Sequence, residues 1–248
     1  MFRRIVAIVV VVACAAGVVA YQATRPARAP ASPRVFVPSP RFFLDFSPSF
    51  RTSVADVYYL NMVQYYGEHV NGDGRLDSLP AMVRLVTRLS PHFTRAYLFG
   101  AFALMDAQQP GVSYEILKNG FEANPGNWRF PSYLGFFVYA FASNKGKDRI
   151  AADWYSKAAA IPGSPAYLQR LAAVLLGKGG ETGKAILIWG QVYATGDKYS
   201  RQKAVDGLDR ILPPDKVARM KAVAPLQSTM SEIDFKALTA ELFKGYAP

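Results

Sequence analysis

Three observations predict an all-α fold of stacked antiparallel helix pairs. From Ser53 onward apolar residues recur at three- and four-residue steps, and no stretch alternates for long, which is the period of helix and not of strand. Breakers fall at regular intervals, at Asn71-Gly72-Asp73-Gly74, Gln109-Pro110-Gly111, Asn124-Pro125-Gly126, Ile161 to Pro165, Gly177 to Gly180 and Leu212-Pro213-Pro214. The sequence also resembles itself: the prolines of Ser90-Pro91 and Asn124-Pro125 lie 34 residues apart.

The chain begins with Arg3 and Arg4, followed by an unbroken run of apolar or small residues from Ile5 to Tyr21. Seventeen helical residues span about 25 Å, the short limit for a bilayer core. Three readings of residues 1–21 stay open. They form an uncleaved signal-anchor, or a secretory signal with Val18-Val19-Ala20 before the cut. Alternatively Val11-Val12-Ala13-Cys14 is a relaxed lipobox, although the residues after Cys14 stay apolar. Positive charge nearly balances across the run, but a short leader with two arginines favours a cytoplasmic N-terminus. The expected domain location is therefore outside the cytoplasm of a bacterial-type envelope, with secretion or a cytoplasm-facing domain as alternatives.

Residues 22–50 read as a tether. Six prolines between Pro26 and Pro48, with Ala, Ser and Arg between them, favour an extended chain. Its end, Arg41-Phe42-Phe43-Leu44-Asp45-Phe46 with Phe50, is too aromatic to stay in water, and is expected on the domain or at a membrane surface.

Segments of about 13–17 residues between the breakers then read as helices in pairs. Leu79, Ser113, Ala151 and Ala185 occupy one point of the second helices, spaced 34, 38 and 34 residues. The next core position holds Val83, Leu117, Tyr155 and Trp189, and the one after holds Val86, Gly120, Ala158 and Val192. First helices align at Leu60-Asn61, Phe99-Gly100, Leu134-Gly135 and Ala172-Ala173. This pattern resembles the tetratricopeptide repeat family, most closely at Phe121 to Trp128 and Trp154 to Ala159. The similarity covers about four units between residues 51 and 197. The turn near Asn71 is enlarged, and the third unit has extra residues near Ser143 to Asp148. The resemblance implies a right-handed superhelical solenoid. In it the small residue of each first helix (Gly100, Gly135, Ala173) admits its second helix, and the second-helix aromatic fills space beside the next unit. Residues 198–248 read as capping helices, over Tyr199–Leu212, Asp215–Val223 and Glu232–Phe243.

Composition narrows the chemistry. The net charge is +11, but residues 1–51 hold seven arginines against one acid, Asp45, so more than half of the excess belongs to leader and tether. That distribution speaks for lipid contact through residues 5–21 and their surroundings, and against nucleic acid. A single cysteine and two histidines remove disulfides, Cys-rich zinc sites and most His-based catalysis. The loop from Asn71 to Asp77 fails as a calcium site, because His69 and Pro80 fall where acidic ligands belong; Asp77 or Ser78 is expected to cap the next helix instead. Lys178 to Lys184 fails as a phosphate loop, because Ala185 follows the lysine. No catalytic motif is visible, so the expectation is a non-enzyme without cofactor or metal.

The remaining candidate is a partner-binding groove. The resemblance implies that the first helices line it through Tyr58, Met62 and Tyr65 in unit one. Unit two offers Thr94, Tyr97, Ala101 and Leu104, and unit three Arg129, Ser132, Phe136 and Tyr139. Unit four offers Tyr167, Arg170 and Val174. Tyrosine and arginine suit hot spots, because both bury area while keeping a polar tip. The expected function is a scaffold that binds a protein, as a peptide or helix, with Arg129 and Arg170 favouring an acidic one. The alternative is a peripheral subunit of a membrane complex, attached through its N-terminal helix. A third reading places Phe42 to Phe50 in the groove as an autoinhibitor.

Overall fold

A computed structural model describes residues 36–46 and 48–246, together with 16–17. The chain divides into two compact units, 1–36 and 37–248. The anchor and signal readings, and the tether up to residue 35, fall outside the described residues apart from the helical pair Ala16-Gly17. Among the described residues no helix is long and apolar enough to cross a membrane.

The second unit is helical throughout, with no strand among its described residues. A short α1 (Pro40–Phe46) leads into α2 (Arg51–Val70) and α3 (Leu79–Leu89). Next come α4 (Thr94–Asp106), α5 (Pro110–Ala123), α6 (Arg129–Phe141) and α7 (Lys147–Ala159). Then follow α8 (Tyr167–Lys178), α9 (Thr182–Thr195), α10 (Lys198–Leu208), α11 (Pro214–Val223) and α12 (Glu232–Leu242). From α2 to α9 each helix packs chiefly against its neighbours in sequence, so the pairs α2–α3, α4–α5, α6–α7 and α8–α9 succeed one another as the breakers predict.

The turns explain why the helices stop. After α2 the chain turns at Gly74, whose φ of 69° lies in the left-handed region that glycine alone enters freely. Tyr65 holds this enlarged loop: its hydroxyl donates to the Arg75 carbonyl at 2.9 Å and accepts from the Ser78 N–H at 3.2 Å. Ser78 occupies the N-cap position of α3, but its side chain makes no cap bond; Pro80 in the first turn has no N–H to satisfy. Asn124 ends α5 and ties it to the previous pair. Its side-chain amide donates to the carbonyls of Gly120 and Pro91, each at 3.0 Å, while its Oδ1 meets His92 Nδ1 at 3.2 Å. Asn127 reaches Thr94 Oγ1 in the same way. These partners stand 32 or 33 residues apart, so the repeat length is visible as contacts between consecutive turns.

Small residues set the helix spacings. A methyl on Gly100 would stand 2.7 Å from Val83 Cγ1, so Gly100 admits the second helix of the preceding pair and not that of its own. Gly135 faces its own partner helix, 3.1 Å from the Ala151 carbonyl and the Tyr155 ring by the same measure. Trp189 behaves as expected of a second-helix aromatic, its indole lying against Gly207 of α10. The C-terminal helices extend one core cluster from Ala173 to Phe243. Here α12 returns to α9: Phe235 lies beside Tyr193, with ring centres 6.0 Å apart, and Phe243 covers Gly190. At the other end, Val37 and Phe43 pack on the cluster of Ala55, Leu85, Val86, Leu89 and Ala96. The aromatic segment is thus partly absorbed as a lid on the first pair, and Phe43 lies 5.7 Å from Tyr58.

Candidate partner-binding face

The predicted groove residues separate into two groups. Met62 and Ala101 are wholly buried, Tyr65 and Tyr97 almost so, and Ser132 and Leu104 are buried as well. None of these can meet a partner, and they are corrected to core positions. The reason is helix register: in α2 and α4 these residues turn toward neighbouring helices. The Tyr97 ring meets Phe130 edge-on with centres 5.7 Å apart, and burial pushes its phenol pKa up. Tyr58 is half-buried under Phe43. On α6 and α8 the predicted residues other than Ser132 point outward. Arg129, Phe136, Tyr139, Tyr167 and Val174 are exposed and Arg170 is half-exposed. Thr94 is half-buried through its bond to Asn127.

The surface residues missed by the predicted register are Val57 and Leu60 on α2, Phe102 on α4 and Leu171 on α8. With Phe136, Tyr139, Tyr167 and Val174 they are all at least 38% exposed. Every large apolar side chain that is exposed on the four pairs, Val70 and Phe141 included, belongs to a first helix; α3, α5, α7 and α9 carry none. A sequence signal was present, because Arg129–Phe141 reads RFPSYLGFFVYAF and is apolar nearly all round. A helix of that kind is either fully buried or docks something.

Aromatic contacts join these first helices one to the next. Tyr59 and Tyr66 of α2 meet Phe99 of α4, and Phe102 of α4 meets Tyr133 and Phe137 of α6 edge-on at 5.1 and 5.3 Å. Lys178 of α8 lies 5.8 Å over the Tyr139 ring, and Arg170 of α8 lies 5.4 Å over Tyr199 of α10. Edge-to-face packing satisfies the ring quadrupoles and holds the rings in place. Tyr66 also donates a hydrogen bond to Asp106; that bond, then burial, pushes its phenol up to about 12. Tyr155 lies beneath this surface, and burial together with Tyr167 and Tyr139 pushes it to about 12. Both of these phenols stay neutral at physiological pH.

Arg129 stacks on Trp128 at 4.7 Å. Arg170 is held more firmly: its Nη1 donates to Ser200 Oγ at 2.7 Å. The Ser200 N–H in turn donates to Asp197, the side-chain cap of α10, also at 2.7 Å. Those bonds with Ser200, followed by Arg170 and Arg201, lower the Asp197 carboxyl below its ordinary range. Among the described residues no three His, Cys, Asp or Glu side chains gather as metal ligands would. The face can bury apolar side chains and pair with anions.

No protein-family model matches the chain, and no curated protein matches it.

Proposed function

We propose that this chain is a non-catalytic interaction protein that captures a partner, as a peptide or amphipathic helix, on the outward stripe of its first helices. The observation that carries this reading is the confinement of exposed large apolar side chains on the four pairs to α2, α4, α6 and α8. A soluble surface scatters such residues; a contiguous row rimmed by polar groups marks a docking surface. Arg129 and Arg170 at the edge favour an acidic partner. The 34-residue similarity and the inter-turn contacts between residues 33 apart support a tetratricopeptide-like solenoid as scaffold. The basic start and apolar run of residues 5–21 support tethering to a bacterial-type membrane, with the helical unit outside the cytoplasm.

The test is recovery of partners from membranes with the full chain. Phe102→Ser, Phe136→Ser and Leu171→Ser together should abolish recovery while the helical circular dichroism is kept; the melting temperature should fall by only a few degrees, through the lost contacts of Phe102 and Phe136 with Phe137. Lys118→Ser and Lys157→Ser, on second helices, should recover partners normally. Equal recovery by both variants would refute the face. Tyr97→Ala is unsuitable, because Tyr97 is core and its loss would report folding.

A further inference from the structure

A cavity of about 590 Å³ opens between α8 and α10, and its ligand chemistry differs from that of the apolar stripe. Its size falls within the roughly 300–1,000 Å³ of small-molecule sites. The apolar part is Leu171, Val174, Trp189 and Ile211. Trp189 can form the floor because Gly207 has no side chain; a methyl there would stand 2.5 Å from the indole. Four cations, Arg170, Lys178, Lys203 and Arg210, share the lining with one acid, Asp206. Among the described residues only Lys203 of the four forms an ion pair, with Asp206 at 3.6 Å. Arg170 is already oriented by Ser200 and has spent one of its five N–H donors.

The lining contains no Asn, Gln, Ser or Thr. A peptide lying in the cavity would bring N–H and C=O groups that need both acceptors and donors. These walls offer donors and hydrocarbon, with Asp206 and the two tyrosine hydroxyls as the only side-chain acceptors. A ligand whose head only accepts hydrogen bonds, on an apolar tail, satisfies them fully. The Arg-rich tether of this chain is excluded as occupant by like charge.

We infer that the α8–α10 cavity binds an anionic amphiphile: a carboxylate or phosphate head held by Arg170, Lys178 and Arg210, with its alkyl chain on Leu171, Val174 and Trp189. The cavity shares Arg170, Leu171 and Val174 with the outward face of α8, so the two sites adjoin there; absence of labelling would leave partner capture on α2, α4 and α6 standing.

The experiment uses the full chain in nanodiscs with a twelve-carbon carboxylic acid that carries a diazirine in its chain. Saturable photolabelling should map to residues 167–211. Lys178→Gln with Arg210→Gln should lower it about tenfold or more, since two charge-assisted hydrogen bonds are lost. Val174→Ser, which shortens the apolar wall and adds no charge beside Arg170 and Lys178, should lower it as well, and Lys118→Gln with Lys157→Gln should leave it unchanged. Competition should strengthen from octanoate through decanoate to dodecanoate, by about two- to fourfold per methylene. Weaker labelling in phosphatidylglycerol discs than in phosphatidylcholine discs would assign the natural occupant to lipid, and equal labelling to a free acid; either supports the inference. Labelling elsewhere, equal loss in the control variant, or equal competition by dodecyltrimethylammonium would overturn it. Displacement by an acidic leucine-rich peptide at lower concentration than dodecanoate would reassign the cavity to a peptide and overturn it too.

Discussion

Gly120→Ala tests the stacking of consecutive pairs at a single atom. Gly120 is buried in α5, and a methyl placed on it would lie no more than 3.0 Å from three atoms of the Phe130 ring in α6. Carbon atoms in contact stand about 3.5–4.0 Å apart, so the ring must retreat by about 1 Å. Phe130 is wholly buried and lies edge-on against Tyr97, which leaves it no space. Overpacking of this kind costs about 1–3 kcal/mol, and a rigid, fully enclosed ring places it near the upper end. Helix propensity opposes it, since alanine in place of glycine gains about 1 kcal/mol. The clash wins by about 2 kcal/mol, which lowers the melting temperature by about 4–8 °C in a domain of this size. The interface affected joins the second pair to the third, so thermal unfolding followed by circular dichroism should also broaden as the two halves uncouple. Phe130→Leu in the same chain makes room, and the double variant should be more stable than the sum of the single losses by at least about 1 kcal/mol. A neutral or stabilised Gly120→Ala, or strict additivity in the cycle, would refute the close approach.

Tyr193 donates from its buried hydroxyl to the Met220 carbonyl at 2.8 Å, so Tyr193→Phe should cost about 1 kcal/mol and speed amide hydrogen exchange in α11. Asp197 has a lowered pKa when folded, so its cap on α10 is complete above the ordinary Asp range and is lost as the pH falls through the lowered value. Asp197→Asn should therefore flatten the acid limb of the stability curve, and an unchanged limb in urea titrations at pH 3 to 5 would count against it. Tyr66 is the opposite case: its neutral form is favoured, so the contact with Asp106 is complete below pH 10 and is lost as the pH rises to about 12. Asp106→Asn should return that phenol toward 10 in a tyrosine-labelled NMR titration.

Several of these features are legible in the chain alone. The alternation of apolar steps and breakers located α2 to α9, because helix period and turn chemistry are local properties of ten or so residues. The prolines 34 apart foretold which turns would touch, and Asn124 on Pro91 is that spacing in three dimensions. The small residues at Gly100 and Gly135 signalled close approach, but not which neighbour approaches: Gly100 meets the preceding pair and Gly135 its own. That choice depends on the rotation of each helix about its axis, which neighbouring helices decide together.

Which residues turn outward was legible on α6 and α8, Ser132 apart, and misread on α2 and α4 for the same reason. One residue turns a helix by about 100°, so a displacement of one or two positions separates the buried Ala101 and Met62 from the exposed Phe102 and Leu60. The aromatic segment after the tether had two outcomes open in sequence, and packing directed Phe43 onto the first pair. Sequence alone determined that this protein is a chain of helix pairs with one cysteine and two histidines, since residue inventory and period are properties of the list itself. Only the tertiary structure decided which apolar residues face outward, and that four cations and a tryptophan from three helices and the turn after α10 surround one cavity. Those facts arise from contacts between residues up to about 44 apart, for which no local signal exists.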